Sequence, residues 1–233
     1  MKSPSRRASL PRVPRLALVV AALLSAAALV QTPAPASAAA KPRVTVIGDS
    51  IQASFEYAPA AVRRLGKGYD LRVDAKVCRR LVSASCPYQG STPRSAIDVI
   101  RTKRRGLGET VVMNVGYNDD PSRYYRDIDT TMRALRAAGV KHVIWVTLRA
   151  QRPEFARSNQ AIVRASKRWK KMMRVADWNR VSAGRPWFGG DGLHLNTRGA
   201  MALSGLIRVN VRASHRAAAR ARAARARAAR AGS

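Results

Sequence analysis

Five short strand-like runs constrain this chain more than any other feature. They fall at residues 43–48, 71–77, 110–115, 142–148 and, more weakly, 173–178. Val143-Ile144-Trp145-Val146 lacks polar alternation altogether. A strand wetted on one face alternates apolar and polar side chains, so a run that does not alternate reads as a strand covered on both faces. Stretches of helical character separate the runs at 52–65, 93–104, 121–138 and 154–172, and a last one starts near Thr197 and enters the C-terminal tail. Pro121, after Asp119-Asp120, suits the first turn of its helix, and Gly139 suits that helix's end. Strands alternating with helices predict an α/β fold, with a central, mostly parallel sheet of about five strands between two helical layers. Ligands of such sheets gather at the carboxyl ends of the strands.

Polar clusters stand at two of those ends. Val44-Thr45-Val46-Ile47 breaks into Gly48-Asp49-Ser50, and Gly116-Tyr117-Asn118-Asp119 follows the third run. Far downstream, Asp191-Gly192-Leu193-His194 places a carboxylate and an imidazole three residues apart. A serine hydroxyl is unreactive until a base takes its proton, and an imidazole serves best when a carboxylate fixes its tautomer. Of three histidines, His142 opens an interior strand and reads as packed or capping. His215 lies in the basic tail, with nothing expected to orient it. His194 alone has an aspartate at short range. By itself, Asp-x-x-His is equally a turn or helix cap. Joined to the other two clusters, it reads as part of a hydrolytic site.

Three segments differ in composition. Residues 1–40 read as a signal peptide: a basic start (Lys2, Arg6, Arg7, Arg12, Arg15), an apolar run at 16–30, and small-x-small sites at Ala36-Ser37-Ala38 and Ala38-Ala39-Ala40. That run is shorter than the ~20 residues that cross a bilayer, and an uncleaved anchor is the alternative. Export is the expectation, and the route, Sec or twin-arginine, stays open. Residues 41–211 form one domain long enough for a substantial core. Five of the 44 Lys and Arg lie in 1–40 and seven in 212–233, leaving 32 against all 13 acids, a balance of +19 in 41–211. Such a field favours anionic neighbours, with compositional bias as the plain alternative. Residues 212–233 form an Ala/Arg-rich basic tail in which Arg220, Arg222, Arg225, Arg227 and Arg230 recur with period five. That period scatters charge around a helix, so the tail reads as a helical or fraying solvated extension.

Cys78 and Cys86 share one loop of a chain expected to be exported, where a disulfide is the default. Closing so small a loop contributes ~2.5 kcal/mol on the chain-entropy model. A zinc site would need two further ligands, and no histidine pair is in register for one. A Cys-His nucleophile would leave Ser50 and Asn118 unexplained.

The segments Ile47-Gly48-Asp49-Ser50, Gly116-Tyr117-Asn118-Asp119 and Asp191-Gly192-Leu193-His194, in this order, resemble the SGNH (GDSL-type) hydrolase family. The resemblance runs over about residues 43–206 and implies that family's flavodoxin-like three-layer fold. It implies Ser50 as nucleophile, His194 as general base and then acid, and Asp191 as the group that orients the imidazole. It implies an oxyanion hole from the Ser50 backbone N–H and the Asn118 side-chain amide. Asp49 and Asp119 are expected to shape turns. The family usually has a glycine after the second strand, whereas this chain reads Val77-Cys78-Arg79-Arg80. Cys78 is the candidate for that third oxyanion donor, held by the disulfide, and Arg79 a candidate contact for a negatively charged substrate group. Tyr117 and Trp187, with Phe188, are candidate pocket walls, while Trp145 and Trp178 read as core.

The expected activity is that of a secreted or cell-envelope-associated serine esterase acting through an acyl-enzyme, without metal or organic cofactor. Expected partners are an ester substrate on an acylated glycan or lipid and an anionic envelope surface, with no specific nucleic acid. Two rivals remain. One is an O-acyltransferase of wall polysaccharide using the same triad. Such domains often accompany a membrane acyl-supply domain, which this sequence lacks. The other is a basic envelope-binding protein with a vestigial site. Fold alone does not choose among them.

Overall fold

A computed structural model describes residues 40–232. The signal-peptide reading of residues 1–40 lies, but for Ala40, outside the described residues. The domain is built on five parallel strands: β1 (Arg43–Gly48), β2 (Asp70–Ala75), β3 (Thr110–Asn114), β4 (His142–Val146) and β5 (Met173–Ala176). Their spatial order is β2-β1-β3-β4-β5. The chain leaves β1 toward one edge and returns on its other side for β3. The carboxyl ends of β1 and β3 therefore flank the point where the topology reverses, and adjoining connections there diverge to leave a crevice.

Side chains from successive strand positions enter opposite layers. Ile47, Val111, Met113, Val143 and Trp145 pack under α3 (Ala96–Lys103), α4 (Tyr124–Ala137) and α5 (Pro153–Arg168). Val44, Val46, Val112, Ile144 and Val146 pack under α2 (Pro59–Gly66) and α7 (Thr197–Ala231). Both faces of the central strands are dry, as unalternating sequences require. Leu203, Ile207 and Val211 of α7 are fully buried, each contributing about 1.5–3 kcal/mol of transfer free energy.

The helix expected at 52–65 is instead three pieces: α1 (Ser50–Ala53), a 3₁₀ turn (Ser54–Tyr57) and α2. Pro59 explains the break, because the residue before a proline is pushed out of the helical region, and Ala58 sits at φ −132°, ψ 65°. Pro121 is not in the first turn of its helix. Asp120 Oδ1 accepts from the Ser122 backbone N–H at 2.9 Å, forming a separate turn, and α4 starts at Tyr124. The fifth run ends at Ala176, and Asp177 caps a short helix, α6 (Trp178–Ser182), by accepting from the Arg180 N–H at 3.1 Å. The tail continues α7 as one helix through Ala231.

His215 is oriented, contrary to expectation. Its Nε2 is 2.8 Å from Thr110 Oγ1 at the start of β3, and its ring packs 5.6 Å from Tyr69 and 5.8 Å from His142. Burial lowers the basicity of both histidines. Only the return of α7 across the amino ends of the strands brings these rings together.

Candidate active site

The turn after β1 is shaped by what it excludes. A Cβ on Gly48 would lie 2.1 Å from Gln52 Cβ, so only glycine lets the chain turn directly from strand into α1. Asp49 caps α1 with Oδ1 on the Ile51 N–H (3.1 Å), while Oδ2 accepts from the N–H groups of Gly116 (3.1 Å) and Tyr117 (3.3 Å). One carboxylate thus ties the β1 turn to the β3 turn. Its burial outweighs these hydrogen bonds and pushes its pKa up to about 6. A second tie joins Asn114 Nδ2 to Gln52 Oε1 at 3.2 Å. Gly116 is needed for another close approach, since a Cβ there would meet the Tyr124 hydroxyl at 2.4 Å.

Ser50, the first residue of α1, is placed with its Oγ 3.0 Å from His194 Nε2. His194 Nδ1 lies 2.5 Å from Asp191 Oδ2. The other oxygen of Asp191 accepts from the N–H groups of Leu193 (2.9 Å) and His194 (3.0 Å). Turn cap and imidazole partner, alternatives in sequence, are here two oxygens of one carboxylate. The hydrogen bond to His194 is the largest cause that lowers the Asp191 pKa to about 2. Both side chains are about half exposed, so the centre is open to solvent.

The loop carrying His194 is fixed from three sides. Gly189 N–H donates to the His194 carbonyl (2.8 Å), and Asn196 N–H to the Trp187 carbonyl (3.1 Å). Gln151 Nε2, from the loop after β4, donates to the Gly192 carbonyl at 2.5 Å. Gly199 in α7 lets Trp187 approach, because a Cβ there would lie 2.1 Å from the Trp187 carbonyl oxygen. Gln151, Gln52 and Asn114 belong to none of the sequence motifs. A polar side chain in a buried run was the one local signal, and it applies to Asn114 and Gln52.

The loop after β2 closes the other side. Cys78 and Cys86 form a disulfide, and Cys78 adopts the left-handed conformation at φ 66° that a glycine takes readily. Among the described residues, neither the Cys78 nor the Ser50 backbone N–H has a protein acceptor. Asn118 Nδ2 donates to the Arg79 carbonyl (3.2 Å), which uses one of its two amide hydrogens. Arg80 Nε donates to the Asn118 carbonyl (2.8 Å), and the Leu81 N–H to Asp119 Oδ1 (2.9 Å). Three hydrogen bonds therefore zip loop 79–81 to the segment after β3. Among the described residues, Asp119 Oδ2 is buried without a hydrogen-bond partner, and burial pushes this carboxyl up to about 7.

Arg79 is not a substrate contact. Its side chain is 2% exposed, paired to Asp74 at 2.8 Å, and donates to the carbonyls of Gly48, Asp74 and Arg94. An arginine with its fork occupied beneath the turn is a structural strut. Tyr117 and Trp187 are partly buried. Tyr117 accepts from the Arg149 N–H (2.6 Å) and packs edge-on to Phe155, and burial raises its phenol pKa. Trp187 stacks on Trp178 at 5.7 Å, and Phe188 lies under the Arg149 guanidinium at 3.6 Å. These rings brace the loops on the Ser50 side of the sheet. Among the described residues, no group of three or more His, Cys, Asp or Glu could hold a metal ion.

No protein-family model matches the chain. The O-acetyltransferase OatA of Staphylococcus aureus is 29% identical over 140 residues, covering 58% of this chain and 20% of that protein. The match thus spans about a fifth of the curated relative's length. Among solved structures, a carbohydrate acetylesterase family member from Sinorhizobium meliloti superposes with a TM-score of 0.57 at 12% identity, covering 74% of this chain and 98% of that one. The psychrotrophic esterase EstA from Pseudoalteromonas sp. gives 0.55 at 11% identity, covering 73% and 97%.

Proposed function

We propose that this chain, which has the fold of the SGNH (GDSL-type) hydrolases, is a serine ester hydrolase acting through an acyl-enzyme. The observation that carries this reading is the 3.0 Å approach of His194 Nε2 to Ser50 Oγ, with Asp191 on the opposite ring nitrogen. Ser50 Oγ attacks the ester carbonyl as its proton passes to Nε2. Asp191 Oδ2, hydrogen-bonded at Nδ1–H, fixes the tautomer and stabilises the imidazolium. The Ser50 and Cys78 N–H groups and the second Asn118 amide hydrogen are the candidate donors to the developing oxyanion, each worth ~10²–10³ in turnover. The alcohol leaves with the Nε2 proton. Water activated by the same nitrogen then releases the acid and regenerates Ser50.

For the substrate, the half-exposed Asp191 and His194 favour a short acyl group on a large carrier. An acylated envelope glycan fits that opening better than a long acyl chain, which needs an enclosed apolar pocket. The Cys78–Cys86 disulfide and the leader-like start of the sequence support export. No helix among the described residues is long and apolar enough to cross a membrane. A second reading, transfer of the acyl group to a sugar hydroxyl, is favoured by the likeness to OatA.

Para-nitrophenyl esters of increasing acyl length test the proposal. Short-chain hydrolysis should fall by at least ~10³-fold in Ser50→Ala and in His194→Ala. Full activity in Ser50→Ala would overturn the mechanism. With an acyl donor and a glycan acceptor together, acylated glycan in excess of free acid would replace hydrolysis by transfer.

A further inference from the structure

The amino ends of the strands, opposite Ser50, carry a run of cationic clefts. The central one, about 470 Å³, lies where α4 and α5 end and is lined by Arg133, Arg136, Arg168, Lys170 and Lys171. A second, about 510 Å³, adjoins it through Arg133 and adds Arg101 and Arg104 from the end of α3. A third, about 420 Å³, adjoins it through Lys170 and Lys171, adds Arg174, and is walled by Ser214, Ala217 and Ala221 of α7. No Asp or Glu lines any of the three. Asp129 pairs with Arg133 (2.5 Å) and Arg168 (2.9 Å), whereas Arg136, Lys170, Lys171 and Arg174 have no carboxylate partner among the described residues.

A cation or two in the last turn of a helix is ordinary compensation for the helix dipole. Compensation does not explain clefts shared between helices, nor unpaired cations on the loop beyond α5. We propose that this face is a docking groove for a linear polyanion, specifically a phosphodiester-linked polyol chain of the cell envelope. Adjoining recessed clefts suit a strand better than the flat surface of a bilayer, and arginine forks match phosphate oxygens. Single-stranded nucleic acid needs aromatic faces on which bases stack. Trp169 is the one indole or phenyl ring lining the run, and the Arg136 guanidinium lies over it at 5.3 Å. The Ala/Arg tail thereby forms one wall of the groove. A chain docked by this face presents Ser50 on its far side to a neighbouring glycan.

The test uses the full chain and the variant Arg136→Gln/Lys170→Gln/Lys171→Gln. All three positions are exposed, and none belongs to the catalytic apparatus. Probes are poly(glycerol phosphate), a single-stranded oligonucleotide of similar charge, and phosphatidylglycerol vesicles, titrated with salt. Wild type should prefer poly(glycerol phosphate). The variant should bind it at least ~10-fold more weakly at low salt, with a log–log salt slope smaller by about 2. Unchanged affinity and slope in the variant would overturn the groove. Tighter binding of the oligonucleotide or the vesicles would overturn the choice of occupant. Hydrolysis of a small soluble ester, measured in parallel, should be equal in both proteins, which separates failure of the groove from failure of the esterase reading.

Discussion

His194 Nε2 stands 3.0 Å from Ser50 Oγ although 144 residues separate them in the chain. Ser50 is held at the end of β1 and His194 at the entry to α7, and the two meet because α7 packs beside α2 on the sheet face formed by Val44, Val46, Ile144 and Val146. The imidazole reaches the hydroxyl only while the 187–195 loop keeps its place.

Asp191→Asn should lower kcat by ~10²–10⁴ with little change in KM. The amide retains an oxygen for the Leu193 and His194 N–H groups, but its NH₂ donates to Nδ1. The imidazole proton then sits on Nε2, which can no longer accept from Ser50. Because both side chains are half exposed, thermal stability should shift little. A collapse of KM with kcat intact would refute the tautomer role.

Gly199→Ala should reach the site from a distance. The new methyl meets the Trp187 carbonyl at 2.1 Å and displaces the segment that holds the His194 loop. Overpacking of this kind costs about 1–3 kcal/mol, and a misplacement near 1 Å costs ~10² in turnover. Urea unfolding and steady-state kinetics on one preparation should show both losses. Unaltered kcat in a destabilised variant would uncouple the loop from catalysis.

The disulfide should be replaceable by glycine. Cys78 takes a left-handed backbone at φ 66°, costing a non-glycine residue roughly 1–2 kcal/mol. Cys78→Ala/Cys86→Ala should lose kcat by about tenfold or more, since nothing then enforces the conformation. Cys78→Gly/Cys86→Ala should recover most of it. Equal kcat in the two double variants would remove Cys78 from the oxyanion hole.

The contribution of Asp49 and Asp119 to stability should fall as pH rises from about 4 to 7. Asp49 and Asp119 have folded pKa values raised to about 6 and about 7, above their unfolded values near 3.8. Between those values these two carboxyls bind more protons in the folded chain than in the unfolded one, so their share of the stability is lost as pH rises. For Asp119 the effect is on the order of 2–4 kcal/mol. Asp119→Asn keeps the acceptor for Leu81 N–H and removes the charge, so its urea midpoint should vary less across this range. Parallel pH profiles for the two proteins would show that Asp119 ionises freely.

The sequence by itself determined the five strands to within a few residues, because central strands buried on both faces carry unbroken apolar runs and the edge strand β2 alternates as Leu71-Arg72-Val73-Asp74-Ala75. It also held the Gly48-Asp49-Ser50, Gly116-Tyr117-Asn118-Asp119 and Asp191–His194 segments and the pairing of Cys78 with Cys86, since each is a local arrangement. Helix starts were less legible at Pro59 and Pro121, where proline and side-chain capping overrode propensity. Only the tertiary structure decided what long-range neighbours decide. Arg79 looked free to meet substrate, yet it is buried, since loop 79–81 folds under Gly48. His215 looked unoriented until the return of α7 placed it against Thr110. Gln151 carries no local signal for clamping Gly192. Burial and partnership depend on which distant segments share a volume, and no periodicity within a segment encodes that.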